Sequence, residues 1–341
     1  VPPADIGGQV SRPRVAFLCA MRRGGTLLTL VPFAIVLVLA LGIALAGYVT
    51  GRRIVNVPSQ SVAPSTPTLV AASPTATRTA SPNTSPTATQ GSNDALEMLR
   101  VHNELRAAVG APTLRADERV IAAARRHAEY LARNQVSGHD EAPGAPGFTG
   151  ATVHDRLAAQ GYADAIASEV ATSFSSGTDG VRSLWVLPYH RLGLMHPHAV
   201  IAGWGHADID GRSATVGVLV YDFGAPSPDR VRSPAPGQRV PASWSGEETP
   251  DVLPSGAARP VGYPIMVLFS NARAADLISA RLTDASGSEV THYVVPQIYE
   301  RDYVAIVPSR PLSPVGRYRV RLEISVAGAT VIEEWEFETE G

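Results

Sequence analysis

Cysteine is nearly absent from this chain of 341 residues, which holds one, Cys19. No disulfide can therefore staple the chain internally, and stability has to come from packing. Cys19 also fails as a lipid-attachment site, because Arg22 and Arg23 follow it and the apolar run lies on its wrong side. Charge is scarce as well. Only 18% of residues are charged against 45% apolar, and the formal net charge is −2 with no large basic block. That removes the electrostatic footprint of a nucleic-acid binder, and no nucleic-acid partner is expected. Familiar catalytic signatures are missing. Neither Ser137 nor Ser168 sits in a Gly-x-Ser-x-Gly elbow. There is no His-Glu-x-x-His helix, no phosphate-binding glycine-rich loop and no cysteine metal site. What remains is apolar material for buried cores and length for about two domains.

Residues 24–51 carry no charged side chain, and 27–49 are almost wholly apolar. That length crosses a hydrocarbon core as one helix. Pro32 stands near its start, where a missing backbone donor costs least. Arg12, Arg14, Arg22 and Arg23 precede the run, whereas Arg52 and Arg53 follow it, an excess that favours an N-in, C-out orientation. A start at Met21 would leave two arginines on the inner side. Ala44-Leu45-Ala46 offers a small-residue cleavage site, so a removable signal peptide is the alternative. The apolar core is longer than the roughly 7–15 residues of a signal h-region. The expectation is a cytoplasmic tail at 1–25 and a transmembrane signal anchor at 26–50, giving a single-pass protein of the cell membrane; cleavage would make it secreted. Either way the rest of the chain is exported. Residues 51–92, dominated by Pro, Ser, Thr and Ala over most of their length, cannot bury enough apolar surface to offset their ordering entropy and read as a disordered stalk.

Periodicity begins after the stalk. Asn93-Asp94 forms an N-cap signal, followed by Leu96, Leu99, Leu105 and Val109 at helical spacing, and Gly110-Ala111-Pro112 ends the helix. A second helix starts near Asp117, with Val120, Ala124, Ala128 and Leu131 on one side and Arg125, Arg126 and Arg133 on the other. A polar loop runs to Gly150. Residues 153–160 make a short helix closed by Gly161, and 179–194 make another around Trp185 that Pro188 must interrupt or kink. Strands are expected at 199–207 and 215–223. Helices followed by a terminal hairpin predict α+β layers rather than a doubly wound sheet.

Several of these stretches resemble one family. "VHNELRAAVGAPTLRADERVIAAARRHAEYLARN" (101–134), with its Asn103/Arg106 pair, looks like the opening helices of bacterial CAP-superfamily domains (SCP-like, pathogenesis-related-1-like). "SGH" ending at His139, "HDRLAAQGYADAIASEVATS" (154–173), "LPYHRLGLMHP" (187–197) and "VGVLVYDFG" (216–224) are similar to later family segments in the same order and spacing. The resemblance covers about 130 residues and implies an α-β-α sandwich. It also implies a cleft where two histidines and one or two glutamates meet and divalent metals such as zinc bind. The matching positions here are His139, Glu169 and His190. Two neutral imidazoles can hold a divalent ion at about 2.0–2.1 Å and leave room for water. A nearby carboxylate can ligate, orient an imidazole or accept a proton, which makes Glu169 the candidate base.

The chain departs from the pattern in three places. Glu169 sits in Ser-Glu-Val instead of Gly-Glu-Asn, and His190 follows Pro-Tyr instead of Pro-Gly. Val-Leu-Pro188 follows Trp185 where plant and animal members carry a second glutamate. A triad is the most that remains. Three readings stay open for it: a buried hydrogen-bond network that fixes the fold, metal or ligand binding without turnover, and catalysis. His196 and His198 could bind metal weakly if extended but read as loop residues. His102 and His127 read as packing or surface positions, His154 as a helix start, and Trp185 and Trp204 as core.

After Ala225-Pro226-Ser227-Pro228 the pattern changes to short strands at 240–244, 265–269, 277–282, 303–307, 318–324 and 331–337. Residues 318–324 alternate strictly, and Asp284-Ala-Ser-Gly287 and Ala327-Gly328 punctuate hairpins. An all-β sandwich is expected. "PLSPVGRYRVRLEISVAG" (311–328) and "EWEFET" (334–339) resemble the end of a bacterial Ig-like domain. Such a module would act as a spacer or bind a wall component or partner.

The sequence thus predicts a CAP domain at 93–226 and an Ig-like domain at 230–341, behind an anchor and stalk. The leading expected function is a non-catalytic bacterial surface module that binds a metal, lipid, cell-wall or surface-protein ligand in its cleft. A metal-assisted hydrolase, with His139 and His190 holding the ion and Glu169 activating water, is one alternative. A purely structural or adhesive protein is the other.

Overall fold

The computed structural model describes residues 87–341, with side chains from residue 93. The expected cytoplasmic tail and membrane helix, and the expected stalk up to residue 86, lie outside the described residues. Among the described residues no helix is long and apolar enough to cross a membrane.

The first helix, α1 (Thr87–Ala108), starts ahead of the expected Asn93-Asp94 cap and runs through it. Its buried residues Ala95, Met98, Leu99, Val101, His102 and Arg106 follow helical spacing, and it stops at Gly110 with a positive φ of 73°. Helix α2 (Glu118–Asn134) is capped by Asp117, whose side chain accepts the Arg119 N–H. Helix α3 (Val153–Ala159) opens with a reciprocal capping box between Thr152 and Asp155. Pro188 splits the expected long helix into α4 (Gly177–Val186) and α5 (Pro188–Met195), with Leu187 as the joint.

Three antiparallel strands, β1 (Ile166–Thr172), β2 (Ala199–Ile209) and β3 (Arg212–Tyr221), form a sheet in the order β1-β3-β2. β2 and β3 are joined by Asp210-Gly211, both at positive φ (52° and 75°), as the tight right-twisted hairpin requires. Strand alternation then sets the layers. Val216, Val218 and Val220 pack with α2, whereas Ala202, Trp204 and Leu219 face the other way among residues of α1, α4 and α5. Helix α2 lies directly on β2 because Gly203 and Gly205 have no Cβ. One placed at Gly203 would sit 2.3 Å from the Val120 carbonyl carbon, and one at Gly205 2.3 Å from the Arg125 Cα. The result is an α-β-α sandwich.

The remaining strands make two four-stranded sheets. One has the order β5-β11-β10-β7 (Arg239–Val240, Ala329–Thr339, Arg317–Val326, Ala275–Asp284). The other has the order β4-β6-β9-β8 (Arg230–Ser233, Ile265–Phe269, Tyr303–Pro308, His292–Val294). In β10, Tyr318, Val320, Leu322 and Ile324 are buried between the sheets while Arg319 points outward. The β6–β9 pair differs, because every residue of both strands is buried. Ile265, Val267, Val304 and Ile306 meet the partner sheet. Met266, Leu268, Tyr303 and Ala305 join the cluster that contains Trp185, Leu192 and Met195 of the α-β-α layers. The unbroken apolar runs Ile-Met-Val-Leu-Phe and Tyr-Val-Ala-Ile-Val reflect a sheet covered on both faces. The strand expected at 240–244 is shorter: β5 ends at Val240, and Trp244 makes only an isolated bridge to Val261.

With almost no cysteine available, three fully buried arginines tie the segments together. Arg106 donates to the carbonyls of Pro112, Leu194 and His196 at 2.7, 2.6 and 3.1 Å. Arg191 donates to Trp185 and Val186 on its own side, and to Ser233 Oγ and the Pro264 carbonyl of the β-sheet module at 3.1 and 3.0 Å. Its guanidinium also stacks 4.5 Å from the Tyr263 ring centre. Buried guanidinium groups persist only when their donors are used in this way. The third, Arg156, belongs to the site.

Candidate functional site

Arg156, on α3, is held among carboxylates and carbonyls. Its Nη2 donates to Glu169 Oε2 at 2.8 Å and to the His139 carbonyl at 2.9 Å. Its Nε lies 3.9 Å from Glu141 Oε1. Glu169 is the middle residue of β1, paired with Val218 of β3, and its side chain is 2% exposed. The other Glu169 oxygen, Oε1, faces His139 Nδ1 at 3.1 Å and His127 Nε2 at 3.4 Å. His127 reaches Glu141 Oε1 through Nδ1 at 2.9 Å, and Glu141 also accepts the Thr149 N–H at 2.6 Å. Two of the expected residues, His139 and Glu169, are thus in contact. His139 is the open end of the network, with its side chain 53% exposed.

His190 has a different partner. Its Nδ1 lies 2.7 Å from Glu248 Oε1, a residue of the segment between β5 and β6. The same carboxylate accepts the backbone N–H groups of Tyr189 and His190 at 3.2 and 3.1 Å. Of these groups His139, Glu169, Tyr189 and His190 border one open cleft of about 500 Å³. The α-β-α layers contribute His139, Glu169, His190 and His196, and the β-sheet module contributes Leu268, Tyr299, Glu300 and Asp302. The Tyr189 and Tyr299 rings meet edge to face across the junction, 5.3 Å apart.

Among the described residues no three His, Cys, Asp or Glu side chains gather into a metal cluster. The reason is visible in the bonding. Glu169 Oε2 accepts from Arg156 and Oε1 faces His139, with His127 Nε2 3.4 Å away, so the carboxylate is buried and ion-paired within the protein. The arrangement does not fit a divalent ion held by His139, His190 and Glu169 together. His139 and His190 are each tied at Nδ1, and no described group bonds their Nε2 atoms.

The other histidines have separate duties. His196 Nδ1 accepts the His198 N–H at 3.2 Å, and His198 Nε2 bonds the Ser270 carbonyl at 3.1 Å. That pair fastens the two modules together. His102 is a core residue, bonded to the Leu194 carbonyl and to Trp204. His127, expected as packing or surface, is instead the buried centre of the carboxylate network. Glu141 and Arg156 were also missed as site residues, although they stand inside or beside the quoted family segments. Glu248 had no local signal at all.

Residues 99–221 match the model of the CAP family, described as the cysteine-rich secretory protein family. This segment is a CAP domain, built without a single cysteine. Among solved structures, the chain is similar to an extracellular protein containing an SCP domain from Bacillus anthracis. Identity is 19% over 39% of this chain and 41% of that one, with a TM-score of 0.33. The chain therefore spans about 41% of the length of that relative. It is also similar to an outer surface protein from Borrelia burgdorferi, at 17% identity over 38% of this chain and 92% of that one, TM-score 0.33. A third is PcoC, a copper resistance protein from Escherichia coli, at 20% identity over 32% of this chain and 95% of that one, TM-score 0.22. No curated protein matches the chain.

Proposed function

We propose that this is an extracytoplasmic surface protein, anchored through residues 26–50, whose CAP cleft binds a small neutral or cationic amphiphile without turning it over. Export is supported by the apolar segment and by the secretory description of the family. The observation that carries ligand binding is the lining of the cleft. Tyr189, Tyr221, Phe223 and Tyr299 supply apolar and aromatic surface, and Glu300 and Asp302 supply carboxylates beside the Arg156-paired Glu169. Among the described residues no arginine lines it, and the chain has no lysine. Such a surface favours apolar matter with a neutral or positive head and repels an anionic one. Turnover is disfavoured because Glu169 is buried and ion-paired with Arg156.

Three probes with one tail and different heads test this: octyl glucoside, octyltrimethylammonium and octanoate, titrated calorimetrically into the 81–341 fragment, which is one compact unit. The first two should bind, octanoate should not, and Tyr299→Ala should weaken binding about tenfold, or about 1.4 kcal/mol. Equal binding of octanoate, or no binding of any probe, overturns the reading. One-to-one binding of zinc alone, lost in both His139→Ala and His190→Ala, would put a metal site in its place.

A further inference from the structure

We infer that the β-sheet module is part of the cleft's chemistry: its Glu248 is the positioning residue of His190. The inference rests on the ligand-binding reading of the cleft and adds to it a group from outside the CAP domain.

Helix α5 begins at Pro188 with Leu187 as its cap residue, whose own side chain makes no capping hydrogen bond. Its first-turn N–H groups therefore need an acceptor from elsewhere. Glu248, 58 residues downstream of His190, supplies one, accepting from Tyr189 and His190. A carboxylate at the positive end of a helix is well placed. This side chain is fully buried, so its position is set by the docking of the two modules. The remaining contact, at 2.7 Å, is with His190 Nδ1. An ionised carboxylate only accepts, so Nδ1 must be the protonated nitrogen. In the neutral ring Nε2 then carries the lone pair, and His190, which lines the cleft, offers its ligand an acceptor. No carboxylate stands directly after Trp185 to do this, since Val186, Leu187 and Pro188 occupy those positions. The acceptor exists only while the second module is docked.

The test is a tautomer measurement on the 81–341 fragment, which is one compact unit, in detergent-free buffer with 15N-labelled histidine and no ligand. Two-bond proton–nitrogen correlations distinguish a protonated Nδ1 from a protonated Nε2, and His190→Asn assigns the signal. The wild type should show a single Nδ1–H form at His190, and Glu248→Ala should lose it while the His102 signals stay in place. A wild-type His190 protonated at Nε2 overturns the inference whether or not the variant folds. So does a folded Glu248→Ala protein with the tautomer unchanged, since that would leave Glu248 a helix cap and nothing more. Failure of the amphiphile titrations would count against the ligand reading alone, because the tautomer is read without ligand.

Discussion

Replacing His102 with glutamine should flatten the response of stability to acid. The imidazole is fully buried on α1, with Nε2 2.9 Å from the Leu194 carbonyl and Nδ1 accepting the Trp204 indole N–H at 3.3 Å. One nitrogen donates and the other accepts, the pattern of a neutral ring; a protonated ring would turn a second donor toward the indole N–H. Burial, and after it the Arg106 guanidinium, pushes the pKa from 6.5 down to about 3, against the bond to Leu194. The folded pKa is depressed. The unfolded chain therefore binds the proton first, and the stability present above pH 6.5 is lost as pH falls toward 3. The slope approaches about 1.4 kcal/mol per pH unit below pH 6.5, so the fall from pH 7.5 to 4.5 removes about 3 kcal/mol. That is a large share of a total stability on the order of 5–15 kcal/mol. Urea unfolding of the 81–341 fragment, followed by tryptophan fluorescence from pH 7.5 to 4.5, measures it. His102→Gln should be weaker at pH 7.5 by about 1–3 kcal/mol, for hydrogen bonds imperfectly replaced. Its stability should then decline less steeply in acid than the wild type by about 1.4 kcal/mol per pH unit. Parallel curves for the two proteins would refute the assignment of a neutral, desolvated His102.

Arg156→Met should leave Glu169 and Glu141 buried beside each other without their cation. A loss of about 3–5 kcal/mol is expected, visible as a fall in Tm of roughly 10 °C; a change under about 1 kcal/mol would mean the network is not held by Arg156. Ending the chain after residue 226 should expose the apolar surface that covers Met266, Leu268 and Tyr303, and should leave Arg191 without Ser233 and Pro264. The truncated CAP segment should aggregate or lose its near-ultraviolet circular dichroism, and a monomeric, cooperatively melting product would show that the β-sheet module is dispensable for its folding.

Much of the layering was legible because it follows from local periodicity. The apolar stripe of α2, the break at Pro188, the alternation of β10 and the runs of β6 and β9 each report burial at a spacing that one strand or helix imposes. Strand β1 was not legible. It is partly exposed along most of its length, so Ile166–Thr172 shows neither clean alternation nor an apolar run. The helix start was misplaced for a related reason: a polar Asn-Asp pair can cap a helix or simply lie on its exposed face. Of the site residues, His139 and Glu169 are in contact, while His190 has a partner from another module.

The sequence by itself determined which residues could be buried, which segments could be helix or strand, and that one stretch follows the CAP pattern. Those properties depend on neighbours a few positions away along the chain. Only the tertiary structure decided that Glu169 would be neutralised by Arg156, that His127 would stand between two carboxylates, and that Glu248 would hold His190. Buried charges must find partners, and which partner is in reach depends on strand pairing and on the docking of one module against the next.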